Sequence, residues 1–435
     1  MGIENILFLI IFTGSSLLFA RNLKRILRNI KLGKDVDRSD NKGLRWKTMT
    51  RVALGQSKMV NRPVAGILHI LLYVGFVIIN IEVIEIIIDG IFGTHRVFKF
   101  MGSFYNFLIG SFEVLALLVL VSCVIFLVRR NIMRIQRFLK PEMKGWPSSD
   151  ANLILIFEVL LMTAFLFMNA ADILLQEKGV YVHAGAFPIS SFLTPMLSDF
   201  SDGTLLLIER LCWWFHIIGI FGFLNYLVIS KHLHILFAFP NTYYSNLNPK
   251  GEFSNMNSVT NEVKMMLDPN TDSFAIDTSD TPIERFGAKD VTDLNWVQLM
   301  NAYTCTECGR CTSECPANAT GKKLSPRKIM MDVRDRIEEV GKGIDNNGKD
   351  YSDGKSLLND FITPEELWAC TTCNACTEAC PVNIDPLSII VDMRRYLVME
   401  ESAAPTELNM MFTNIENNGA PWQFSAADRL NWKDE

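Results

Sequence analysis

The sequence predicts an all-α chain in two parts: a five-span transmembrane helical bundle over residues 1–239, and a helical, metal-loaded domain over 286–435, joined by a linker, 240–285. Three observations carry this. The apolar residues that make up 49 % of the chain are concentrated in its first 240 positions. Five stretches there, about 5–20, 64–88, 104–128, 152–175 and 204–230, approach the ~20 apolar residues that a bilayer-crossing helix needs, the first being somewhat short. Beyond residue 300 one cysteine pattern occurs twice, as Cys305-x₂-Cys308-x₂-Cys311-x₃-Cys315-Pro316 and Cys370-x₂-Cys373-x₂-Cys376-x₃-Cys380-Pro381.

Basic residues orient the spans. Residues 21–62 hold thirteen Lys and Arg and 129–150 hold six, against three in 89–103 and 176–203 together, so the basic loops face the cytoplasm. Five spans then put the N-terminus outside and the cysteine domain inside, in a bacterial cytoplasmic membrane. The basic residues Arg21, Lys24, Arg25 and Arg28 follow the first apolar run rather than precede it, which predicts an uncleaved anchor. The soluble half is acidic and shows no basic patch suited to nucleic acid.

The cysteine spacing belongs to the bacterial ligand run for paired [4Fe–4S] clusters, the all-α domain being a dicluster ferredoxin. Three thiolates at i, i+3 and i+6 reach different irons of one cubane, and the fourth, followed by Pro, completes the neighbouring cluster. One cluster is therefore expected on Cys305, Cys308, Cys311 and Cys380. The other is expected on Cys370, Cys373, Cys376 and Cys315. Structural zinc favours four ligands in well-separated pairs, and disulfides do not persist in a reducing cytosol. Cys123 and Cys212 lie in apolar stretches, where a thiol behaves as a small hydrophobe.

The repeat extends past the cysteines. Pro326/Pro386, Ile329/Ile389, Asp332/Asp392 and Arg334/Arg394 align at an offset of 60, predicting a Pro-started amphipathic helix after each cluster loop. Asp293 to Met300 reads as a capped helix delivering the chain to the first cluster. The linker is rich in Asn, Ser, Asp and Thr without helical periodicity, and 341–361 reads as a polar surface loop.

Of six histidines, three stand where an axial heme ligand would: His69 near the cytoplasmic edge of the second span, and His216 and His234 on the fifth, which is expected to continue to about 239. On one continuous helix eighteen residues make five whole turns, so His216 and His234 share a face about 27 Å apart. The alternative is three packing histidines. His232 falls about 200° round that helix, on the solvent side. Glu82, Glu85, Glu113 and Glu158 are expected to be buried in the spans, and Glu82, Glu85 and Asp89 are candidates for quinone proton exchange at the outer side. For Asp89 a structural hydrogen bond is the stronger alternative.

The run from His216 to Ile235, closing in Ser230-Lys231-His232-Leu233-His234, resembles the last span of the heme b membrane (gamma) subunit of respiratory nitrate reductases. The resemblance implies that His69 and His234 bind a heme b on the cytoplasmic side and His216 an outer one. That family has a second histidine ten residues along the second span, where this chain has Ile79. The outer heme is then absent, five-coordinate or bound by another residue.

The soluble half, from Thr304-Cys305-Thr306-Glu307-Cys308-Gly309-Arg310-Cys311 through Ser325-Pro326-Arg327 to Ala420-Pro421-Trp422, Arg429 and Trp432, is similar to the dicluster [4Fe–4S] iron–sulfur subunit of heterodisulfide reductase. Membrane relatives often continue into a Cys-Cys-Gly catalytic domain, and this chain stops short of it. The expected function is that of a membrane-bound electron-transfer subunit between a cytosolic partner and the quinone pool. The partner is expected to be a separate Cys-Cys-Gly subunit or an electron-transferring flavoprotein. A heme-free anchored ferredoxin and a redox sensor are the rival readings.

Overall fold

A computed structural model describes residues 2–268, 285–423 and 425–434. Residues 269–284 of the expected linker, and the side chain of Arg429, lie outside the described residues. Every regular element among the described residues is helical. Five helices are long and apolar enough to cross a membrane: α1 (Ile3–Ile30), α2 (Pro63–Phe92), α3 (Ser103–Asn131), α4 (Trp146–Glu177) and α5 (Asp202–Ile229). At 1.5 Å per residue each exceeds the ~30 Å hydrocarbon thickness, so their ends protrude. The chain is thus a multi-pass membrane protein. The helices close into a ring, α1 against α2, α2 against α3, α3 against α4, α4 against α5 and α5 against α1.

The first span is longer than its apolar run because the basic residues after it remain helical. Ile26 and Ile30 there are buried, in one core with Leu227, Val228, Leu233 and Phe237 of the bundle and with Val291, Leu299, Ile329 and Ile389 from beyond residue 285. Polar contacts reinforce the junction. Asn29 Nδ2 donates to Tyr303 Oη at 2.9 Å, and Arg28 Nη2 to the Gly341 carbonyl at 2.9 Å.

Beyond the bundle run α6 (His234–Tyr243), α7 (Trp296–Thr304), α8 (Pro326–Asn347) and α9 (Pro386–Met399). The α7 start is a reciprocal cap: Asn295 Oδ1 accepts from the Gln298 N–H at 3.0 Å and Gln298 Oε1 from the Asn295 N–H at 2.9 Å. Helices α8 and α9 have Pro at the first turn and side-chain caps from Ser325 and Asp385. Two expectations fail here. Asn257–Leu267, inside the expected linker, is a helix with Val259, Val263 and Met266 spaced along one face. The expected surface loop from 341 begins inside α8 and buries Leu357 and Leu358 completely.

Gly341 lies where α8 meets α1, and a Cβ there would fall 2.5 Å from Asn29 Oδ1. Gly341→Val is expected to lower stability by about 2 kcal/mol through forced separation of the two helices. Thermal unfolding followed by tryptophan fluorescence measures it; an unchanged midpoint would show that the junction yields.

Candidate metal centres

Both cysteine loops use the same backbone device. Glu307 and Thr372, two residues after the first cysteine of each motif, have φ of 55°, and Gly309 and Asn374, one after the second, have φ of 70° and 60°. Left-handed residues in such loops turn successive N–H groups inward, a concave lining suited to negative sulfur. Each loop runs into a short helix, Arg310–Glu314 or Ala375–Ala379, and these two helices pack on each other. Their C-terminal cysteines are thereby carried towards the opposite loop.

Two cavities result. Cys305, Cys308, Cys311 and Cys380 line the first, Cys315, Cys370 and Cys373 line the second, and Cys376 borders both. Among the described residues no three Cys, His, Asp or Glu side chains converge as on a single ion. Thiols spread around a cavity suit a cubane, in which each binds a different iron. Burial pushes the Cys305 and Cys376 thiols up to about 12 and the Cys380 thiol up to about 11. The thiolates a cluster requires therefore need the positive charge of bound metal. Cys373 is solvent-exposed, whereas Cys305 and Cys380 are buried.

The repeated arginines hold corresponding points. Arg334 of α8 pairs with Glu307 at 2.8 Å, inside the first loop. Arg394 of α9 donates to the carbonyls of Leu367 and Cys370 at 2.6 and 2.5 Å, where the second loop begins. Burial opposes ionisation of Glu307, but Arg334 and Lys231 hold its carboxyl below the usual carboxylate range.

The first loop sits directly on the membrane half. Arg310 donates to the carbonyls of Lys58 and Met59 at 3.0 and 3.2 Å, ahead of α2. Arg327 donates to the Arg137 carbonyl at 2.7 Å and pairs with Glu142 at 2.8 Å. Lys231, three residues before His234, pairs with Glu307 at 2.7 Å.

The histidines are arranged differently from a single helix face. Helix α5 stops at Ile229 because Ser230 turns extended and its hydroxyl accepts from the His232 N–H at 3.2 Å. Asp150 of α4 holds the break, accepting from the Lys231 N–H at 3.2 Å and from Tyr226 Oη at 2.5 Å. His216 and His234 therefore do not share one continuous helix. The turn brings the His234 ring to 6.3 Å from that of His69, centroid to centroid. Two metal–nitrogen bonds of about 2 Å with the two ring radii between them give a spacing of about 6 Å. His234 Nδ1 lies 3.0 Å from the Lys231 carbonyl, an arrangement that leaves Nε2 free to ligate a metal. The pair fits bis-imidazole ligation.

His232 is not on the solvent side: its ring is 5.6 Å from that of His234 and 5.4 Å from Phe223, and its Nδ1 is buried. His216 is buried, its Nδ1 3.1 Å from the Leu161 carbonyl and its ring against Phe165. Ile79, at the register where a second ligand was sought, is buried in the apolar core beside α3 and α4.

Of the intramembrane carboxylates, Glu85 accepts from the Phe98 N–H and Tyr105 Oη, both at 2.8 Å, and Asp89 from the N–H groups of Arg96 and Val97 at 2.7 and 3.2 Å. Both secure the loop after α2, so the structural alternative holds for Asp89 and extends to Glu85. Glu158 is only half-buried. Sequence reasoning missed Arg96, a loop residue that inserts into the bundle to meet Asp172 at 2.7 Å; one arginine in the short loop between α2 and α3 gave no signal.

Residues 304–384 match the family model of the 4Fe-4S dicluster domain. This places a two-cluster iron–sulfur module beside a helical bundle of membrane-spanning length. Over 99 % of its length the chain is 29 % identical to the probable iron-sulfur-binding oxidoreductase FadF of Bacillus subtilis, and over 92 % it is 28 % identical to the EtfAB:quinone oxidoreductase of Syntrophomonas wolfei. Over 36 % it is 34 % identical to a probable membrane-anchored ferredoxin of Chromohalobacter salexigens. It spans 61 %, 55 % and 25 % of these relatives. No solved structure matches it.

Proposed function

We propose that the chain carries electrons between a soluble redox partner and membrane quinone through two [4Fe–4S] clusters and one heme b. The first cluster is assigned to Cys305, Cys308, Cys311 and Cys380, the second to Cys370, Cys373, Cys376 and Cys315, and the heme to His69 and His234. His216 is left without a partner ligand. The observation that carries the reading is the imidazole pair at ligand spacing beside the first cluster loop, bridged by Lys231 and Glu307. The resemblance to the nitrate reductase gamma subunit supports the same pair.

Exposure orders the centres. Cys373 makes the second cluster the port for the soluble partner, and the first cluster faces the histidines. The cluster domain is assigned to the cytoplasmic side of a bacterial inner membrane, where the basic loops lie. The relative named EtfAB:quinone oxidoreductase supports quinone and a soluble redox protein as the two partners, the catalytic step lying on a flavoprotein or a Cys-Cys-Gly subunit.

Chemical analysis of the reconstituted chain is the test. About one heme b and about eight non-haem irons per polypeptide are expected. Full iron without a b-type reduced-minus-oxidised band would leave only an anchored, heme-free ferredoxin.

A further inference from the structure

The end of the bundle away from the clusters holds several buried ionisable groups, and their hydrogen bonds are unequally shared. Glu113 of α3 accepts from Asn169 Nδ2 at 3.1 Å, from the N–H groups of Ile189 and Ser190 at 2.9 and 3.1 Å, and from the Ser190 hydroxyl. Asp172 of α4 takes Arg96 Nε at 2.7 Å and Gln176 Nε2 at 3.1 Å, with His95 Nε2 3.7 Å away. Arg96 also donates to Asn169 at 3.0 Å and to Tyr105 at 3.3 Å, and Glu85 takes Tyr105 and the Phe98 N–H. Glu209 pairs with Arg210 and accepts from Tyr181.

Glu82 is the exception among these carboxylates. It is 4 % exposed, its Oε2 is buried with no hydrogen-bond partner among the described residues, and Arg96, Glu85, Glu113 and Asp172 all lie within electrostatic range. The guanidinium in that set is already engaged by Asp172, Asn169 and Tyr105. A buried carboxyl oxygen left without a partner costs the fold stability unless a ligand meets it. A carboxyl is thus positioned in the bundle interior with one oxygen left open to a hydrogen-bonding ligand. Intramembrane carboxyls left unsatisfied by the fold are characteristic of ligand and proton sites.

We propose that Glu82 is the proton-exchanging residue of a quinone site at this end of the bundle, its carboxyl meeting a quinone carbonyl oxygen. This rests on the quinone-linked reading above. Reduction of a quinone takes two electrons, supplied through the chain's redox centres, and two protons. Glu82 gives one proton to a quinone oxygen, and the carboxylate left behind lies in the field of Arg96 until it regains a proton from the outer aqueous side; the second proton follows the same route. In quinol oxidation each transfer runs backwards.

The experiment uses the full heme- and iron-loaded chain in lipid nanodiscs, with a short-chain naphthoquinol as the probe. Dithionite should reduce the heme of wild type, Glu82→Gln and Glu82→Asp to the same extent, which shows that the heme is loaded and reducible in each. Naphthoquinol-driven heme reduction should fall about 10²-fold in Glu82→Gln and recover in part in Glu82→Asp. Infrared difference spectra on quinone binding should show a protonated-carboxyl band that Glu82→Gln removes. A wild-type naphthoquinol rate in Glu82→Gln overturns the proposal alone. A wild type reduced by dithionite but not by naphthoquinol overturns the quinone-linked function, and this proposal with it.

Discussion

His234→Ala is expected to abolish the b-type band of the reduced protein while about eight non-haem irons stay bound. The expectation follows from the imidazole pair, since removing one of two facing rings leaves His69 alone on its side of the site. His69→Ala should behave in the same way. His216→Ala should keep the band, because the ring of His216 packs on Phe165 and its Nδ1 is engaged by Leu161. Optical difference spectra and iron analysis on the same preparations decide the matter. A band lost with His216 and kept without His234 would move the heme to mid-membrane.

Cluster ligation gives the second large effect, and double substitution separates exchanged from unexchanged fourth ligands. Cys380→Ala should lose about four irons. Adding Cys308→Ala should cost no further iron, since both thiols line one cavity. Adding Cys373→Ala, from the same sequence motif as Cys380, should remove the remaining four or so, because that thiol lines the other cavity. Two groups of one ligand set act as a unit and groups of separate sets add. The opposite pattern of iron loss would assign each cluster to its own motif.

The dicluster motif and the spans were legible because each is written locally: thiol spacing fixes reach, and apolar length fixes a bilayer crossing. Long-range partners hid the rest. Nothing near Ser230 announces that α5 stops there; Asp150, eighty residues earlier, holds Lys231 and Tyr226 at the break. That break turns His232 inward and moves His234 off the face of His216, which regular helical geometry did not anticipate. In the same way Glu85 and Asp89 look free until the Arg96 loop folds back onto them. Gly341 reads as loop chemistry, yet it marks the close approach of α8 to Asn29.

Lys231, Arg310, Arg327 and the inward end of α1 clamp the soluble half onto the bundle at several separated points. On the proposed function no swinging arm is needed to carry electrons from the cluster domain to the bundle, because the clamp fixes the first cysteine loop against it. Raising the viscosity of the medium should slow encounter with the soluble partner and leave the internal passage of charge at its original speed.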